Sequence, residues 1–272
     1  MNPRLLASLT ALLAAGTVAY AAFDFSNLSK AIDSTKKATT KALDTAKDAG
    51  KIVKGVTGIG PEEERNIGDS VAIEIISRYG GLVRDEEVMR RVNLVGRSLA
   101  RYSDRPELDW RFGVLDSASV NAFSAPDGYV FITRGLYEQA ESDDALAGIL
   151  AHEIAHITGK HALNIVARND AFGALSKQVS QRSGDARELD YQLRQVNLST
   201  DLIMKTLFEK GFDPLTEYAA DQTGHNLAET CGYAPGGLRA VLVHLKEKGE
   251  NRRTTFSTHP ALAERIKRLP DE

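Results

Sequence analysis

One cysteine, Cys231, stands in a chain of 272 residues. No intramolecular disulfide can form, and a structural zinc site built from several thiolates is excluded with it. An excess of either charge is missing too: 34 Lys and Arg face 37 Asp and Glu, a net charge of -3. Phosphate binding normally leaves a basic excess, so nucleic acid is not an expected partner. There is one Trp, aromatic residues make up 7% of the chain, and no internal repeat is found. Beyond the N-terminal segment no apolar run reaches the ~18–20 residues that a membrane span needs, which excludes a polytopic membrane protein. What remains is an ordinary globular balance, 42% hydrophobic and 26% charged, with length for one or two domains and a substantial core.

The chain divides into three zones. Residues 1–21 read as a secretory signal peptide. Arg4 gives a short cationic start, Leu5 to Val18 an apolar run, and Ala19-Tyr20-Ala21 a small-x-small cleavage pattern. The alternative is an uncleaved anchor helix. Export places the mature chain in the periplasm or cell envelope of a bacterium. Residues 22–60 repeat Ala, Thr, Lys and Asp and hold too few large apolar side chains for a core. They read as a polar linker, partly helical or disordered. A weak contact of residues 23–60 with a membrane or an envelope protein is the sharper alternative. From Pro61 to the end, residues 61–272 form the globular domain.

Within that domain Pro61 and three acids start a helix that carries Ile67, Val71, Ile75 and Ile76 at helical spacing. Val88 to Leu99 marks a second helix. Trp110, Phe112 and Val114 recur at the strand period of two, and Tyr129 to Thr133, rich in aromatic and β-branched residues, reads as another strand. Ser142-Asp143-Asp144 caps a long helix running through Ile157, and the segments near 211–228, 235–248 and 260–269 again have helical spacing. The polar stretch from Ser176 to Gly184 is a candidate cover for a cleft.

The chemistry concentrates in His152-Glu153-Ile154-Ala155-His156. Two histidines four apart on a helix differ by roughly 40° around the axis, so both rings point to one side. One zinc ion can take both as ligands, and Glu153 reaches a water beside the metal as general base. His161 nearly spells a metzincin pattern, but the position that pattern requires holds Ala162. On a continuing helix His161 would point to the far side, and it is rejected as a ligand. Glu217-Tyr218-Ala219-Ala220-Asp221 serves better: Glu217 completes a His-His-Glu site, and Asp221, on the same face, accepts the spare N–H of a ligating imidazole.

Asn121-Ala122-Phe123, Gly128-Tyr129-Val130, His152 to His156, Glu217 to Asp221 and Thr258-His259-Pro260 follow one another in the order seen in M48 peptidases. The chain after the linker resembles that gluzincin family, and within it the soluble, secreted branch without tetratricopeptide repeats. The resemblance implies an α+β zincin-like domain, mainly helical with a small mixed sheet beside the active-site helix. It implies one zinc per chain on His152, His156 and Glu217, with Glu153 catalytic. Asn121, Ala122, Phe123 and Tyr129 would line the substrate cleft. His259 would either donate to the oxyanion or occupy a fourth zinc position at rest. One departure stands out, since residues 211–216 ahead of Glu217 lack the arginine that many relatives carry there.

The expected function is a zinc endopeptidase acting on unfolded or misassembled envelope proteins, with protein or peptide substrates. The alternative is a binding or chaperone-like protein on the same fold with a closed or autoinhibited site.

Overall fold

The computed structural model describes residues 59–169, 185–248, 259 and 262–270. The expected signal peptide, the linker up to residue 58 and the stretch from Ser176 to Gly184 lie outside the described residues. Helix α1, Pro61–Arg78, opens with proline in its first turn and Glu62, Glu63 and Glu64 at the positive end of its dipole. Helix α2, Glu86–Ala100, is capped by Asp85, whose carboxylate accepts from the backbone N–H groups of Glu87 and Val88.

Three short strands follow: β1, Arg111–Leu115; β2, Ala122–Ala125; and β3, Tyr129–Thr133. Their order in the sheet is β1-β3-β2, with β3 parallel to β1 and antiparallel to β2. Phe131 is the midpoint, paired with Gly113 on one side and Phe123 on the other. The β2–β3 turn places Asp127 at φ 62 and Gly128 at φ 92. A side chain at Gly128 would meet the Asp109 carbonyl oxygen at 3.1 Å, so the turn suits glycine for space as well as for φ.

Side chains alternate across the sheet, as the strand period requires. Phe112, Val114, Ala122, Val130 and Ile132 join one hydrophobic core, while Leu115, Phe123, Ala125 and Phe131 join another beneath α1. After a short helix, α3 (Arg134–Tyr137), comes α4, Asp143–Thr158, capped by Ser142 accepting from the Ala145 N–H. Every residue of α4 from Ala145 to Ile157 is buried. Around it lie α5 (His161–Ala167), α6 (Asp185–Lys205) continued by a π-helical turn (Thr206–Lys210), α7 (Pro214–Thr230), α8 (Gly237–Glu247) and α9 (Leu262–Arg268). The architecture is the expected α+β one, mainly helical with a small mixed sheet beside α4. Among the described residues no helix is long and apolar enough to cross a membrane.

Candidate metal centre

A helix buried all round tolerates polar side chains only where they find partners. His152, Glu153 and His156 sit in the buried run of α4, each exposed by 2% or less. Their four-residue spacing brings the two Nε2 atoms to 3.1 Å from one another. Helix α7 supplies the acids. Pro214 begins it, and the Asp213 carboxylate accepts from the N–H groups of Leu215 and Thr216, which fixes the turn holding Glu217. It crosses α4 closely because Gly224 faces the backbone of Ala151 and His152. Glu217 then places Oε2 3.6 Å from His152 Nε2 and Oε1 3.6 Å from His156 Nε2. His259 brings Nδ1 to 3.2 Å from His152 Nε2 and 3.1 Å from Glu217 Oε1. One donor atom from each of His152, His156, Glu217 and His259 lies within 4.8 Å of all the others.

Three observations show that this set fits a divalent cation. A tetrahedron with bonds of about 2.0–2.1 Å has edges of about 3.3 Å; the contacts given above, counting either Glu217 oxygen, run from 3.1 to 3.6 Å, and the four-donor set as a whole lies within 4.8 Å. Asp221 Oδ1 lies 2.9 Å from His152 Nδ1, which places the proton there and leaves the Nε2 lone pair facing the cluster. The buried charge also calls for it. Three acids, Glu153, Glu217 and Asp221, are buried around the donors with Arg265 as the one guanidinium among them, so a cation suits the site.

The same demand for positive charge shapes the titrating groups. Burial would lower His259, but Glu217 and Glu153 outweigh it and raise the imidazole above its ordinary value. Burial holds His156 well below its own, and the neighbouring His152 and His259 add to the effect. For Glu217 burial works upward, yet His259 and Arg265 keep the carboxyl low. Asp221 is likewise held low against burial, by hydrogen bonds with His152 and Arg265. Neither oxygen of Glu153 makes a hydrogen bond. Its nearest ionic neighbour is His259 Nε2, 3.3 Å from Oε1.

Arg265 is a site residue that motif spacing does not mark. It is fully buried on α9, binds Asp221 with Nε to Oδ2 at 2.8 Å and Nη2 to Oδ1 at 2.7 Å, and reaches Glu217 Oε2 with Nη1 at 3.0 Å. A guanidinium therefore does stand beside Glu217, but it comes from the last helix and not from residues 211–216. A signal existed: Leu262, Arg265 and Ile266 share the buried stripe of α9, with buried Leu269 just beyond its end, and a charge on an apolar stripe needs a partner.

Of the other expected residues, Asp221 sits beside His152, its Oδ1 2.9 Å from Nδ1. His161 is outside the converging donors and instead rests its Nδ1 2.9 Å from His156 Nδ1. Ala122 and Phe123 belong to β2, an outer strand that packs against α4. Phe123 turns into the core, where its ring meets Tyr79 and Phe208. Asn121, just ahead of the strand, accepts at Oδ1 from the Ala122 N–H. Tyr129 is not brought to the cluster. Its hydroxyl donates to Asp69 Oδ1 at 2.6 Å and Arg111 lies over its ring, while burial and the Asp69 carboxylate push the phenol well above its ordinary value.

Comparison with known proteins agrees with this geometry. The family model described as Peptidase family M48 matches residues 86–272. The chain is similar to the mitochondrial metalloendopeptidase OMA1 of Schizosaccharomyces pombe, 25% identical over 213 residues, which cover 76% of this chain and 60% of that protein. It is similar to the beta-barrel assembly-enhancing protease of Escherichia coli, 25% identical over 120 residues, 44% of this chain and 24% of that one. A protease HtpX homolog of Bacillus subtilis is 29% identical over 215 residues, 68% of this chain and 69% of its own. The chain thus spans less than two thirds of the length of the first two relatives.

Proposed function

The chain belongs to peptidase family M48, and from that membership we propose that it is a zinc-dependent endopeptidase cutting unfolded or misassembled proteins of the cell envelope. The observation that carries the proposal is the buried, converging four-donor set with an unbonded carboxylate, Glu153, directly beside it. Zinc held by His152, His156 and Glu217 would supply Lewis acidity, polarising a peptide carbonyl and bringing the pKa of a water to about 7.

The chain's own residues do the rest. Glu153, with both oxygens unbonded, takes the proton of the attacking water and passes it to the leaving amine. Asp221 holds His152 in the tautomer that leaves Nε2 bare, and Arg265 clamps Asp221 and Glu217 in one arrangement. His259 stands at the fourth corner of the donor set, its other nitrogen toward Glu153. That is a closed, resting arrangement, since a catalytic zinc site keeps one position for water or substrate. Once His259 leaves the Glu217 carboxylate it can donate to the oxyanion.

β2 is an outer strand whose four residues are all buried; an extended peptide would add to its edge through backbone hydrogen bonds, with Asn121, Ala122 and Phe123 along the cleft, only once that edge is uncovered. Tyr129 enters this reading through β3, where it pairs with Ala125 of β2. Residues 1–21 act as the export signal in this proposal, and residues 23–60 make any weak envelope contact. A binding protein on the same fold would have no use for a general base, and the retained Glu153 favours the enzyme. The test is proteolysis of casein by the zinc-loaded protein beside Glu153→Gln. The proposal expects cleavage by the wild type alone with zinc retained in both. Equal cleavage by the variant overturns the role of Glu153. Zinc binding without cleavage in either, unrelieved by His259→Ala, favours the binding protein.

A further inference from the structure

His156 is held on three sides. Its Nε2 faces the donor cluster, its ring stacks on Phe212 with centroids 4.4 Å apart, and its Nδ1 lies 2.9 Å from Nδ1 of His161. Two imidazole nitrogens in a hydrogen bond share one proton, so one donates and the other accepts. If His156 is to bind metal through Nε2, its proton must sit on Nδ1. His161 Nδ1 is then the acceptor, and the proton of His161 belongs on its Nε2. His152 leans on a carboxylate, Asp221, whereas His156 leans on a second neutral imidazole.

We propose that His161 is the positioning residue of His156: by accepting the Nδ1–H it fixes the tautomer and ring plane with which His156 holds zinc. The inference rests on the zinc reading above. It assigns His161 a place beside the ligands although His161 is not one of them.

The chain bends to make the contact. Helix α4 ends at Thr158, and Lys160 adopts φ 53, a left-handed conformation that costs a residue with a side chain. That turn starts α5 at His161 and carries the ring back toward α4, where a continuing helix would have sent it away. The ring lies over Gly159. A Cβ there would stand 2.5 Å from His161 Nε2, 2.9 Å from Cδ2 and 3.0 Å from Cε1. Alanine at 159 can be admitted only if the His161 ring moves, and moving it breaks the bond to His156. Two substitutions at different residues therefore attack one hydrogen bond.

The experiment measures zinc affinity of the full chain by competition with a chromophoric chelator, for wild type, His161→Leu, Gly159→Ala and His161→Asn. Loss of such a supporting partner typically weakens metal binding by about 10- to 100-fold, which is the expectation for His161→Leu and Gly159→Ala. His161→Asn places an amide oxygen near the Nδ1 position and restores most of the affinity. Nitrogen-15 spectra of the zinc-loaded wild type should show the ring proton on Nδ1 in His156 and on Nε2 in His161. Wild-type affinity in His161→Leu, an Asn variant as weak as Leu, or a proton on His161 Nδ1 each overturns the inference alone. A wild type that binds no zinc overturns the reading beneath it as well. Should His161→Leu fail to fold, Gly159→Ala and the wild-type spectra still decide.

Discussion

Gly224→Ala should damage the metal centre without touching a donor atom. A Cβ at 224 would lie 2.8 Å from the backbone nitrogen of His152, and 2.9 Å from both the Ala151 carbonyl carbon and the His152 Cα. These are backbone atoms of a buried helix and cannot turn aside. Ordinary contact begins near 3.4 Å, so α7 must withdraw from α4 by about 3.4 − 2.8 = 0.6 Å. Glu217 and Asp221 travel with α7. The 2.9 Å contact between Asp221 Oδ1 and His152 Nδ1 would then stretch to about 3.5 Å, beyond a useful hydrogen bond. Overpacking of this kind costs about 1–3 kcal/mol of stability, and a misplaced supporting carboxylate weakens metal binding by about 10- to 100-fold. The control is Gly96→Ala, where a Cβ would meet the Phe112 ring at 2.4 Å between α2 and β1, away from the donors. Thermal melts in EDTA should show both variants destabilised, and chelator competition should show zinc weakened only in Gly224→Ala. Wild-type zinc affinity in Gly224→Ala, or an equal loss in Gly96→Ala, would refute the reasoning.

Three further outcomes can be checked with simple assays. Arg265→Met removes the guanidinium between Glu217 and Asp221 and leaves buried acids unmatched; breaking a buried pair costs about 3–5 kcal/mol, read as a lower Tm in EDTA. The loss should shrink in zinc-loaded protein, because the dication partly replaces the lost charge. Asp213→Ala strips the cap from α7 and should cost about 1 kcal/mol in denaturant unfolding; no change would mean that Pro214 alone starts the helix. Burial raises the Cys231 thiol, so its thiolate fraction at neutral pH falls below that of a free thiol. Iodoacetamide should react more slowly with it than with glutathione, and the rate should still climb above pH about 8.5.

The helices and the candidate ligands are legible in the sequence to different depths. Helix α4 could be read because cap, apolar run and the His152–His156 spacing all sit within one segment. Glu217 and Asp221 could be read because four-residue spacing puts them on one face of α7. Strand β2 was harder: Ala-Phe-Ser-Ala has neither the length nor the β-branched content that marks a strand, and it exists because β3 supplies its ladder and α4 its cover. Arg265 was hidden by distance, since its partners Asp221 and Glu217 lie on another helix. A continuing helix would send His161 to the far side, whereas the left-handed Lys160 turns its ring back onto His156. Local periodicity reports faces of elements, while contacts made across a helix break or between distant helices need the packed chain.

In the proposed resting site His152, His156, Glu217 and His259 enclose one zinc ion. X-ray absorption at the zinc edge of the full chain tests it most directly. The expected result is one zinc per chain, a four-coordinate shell of nitrogen and oxygen at about 2.0–2.1 Å, imidazole scattering and no sulfur. His156→Ala should diminish the imidazole signal. A protein that retains no zinc, or one whose zinc sits in a six-coordinate shell of water oxygens, would contradict it.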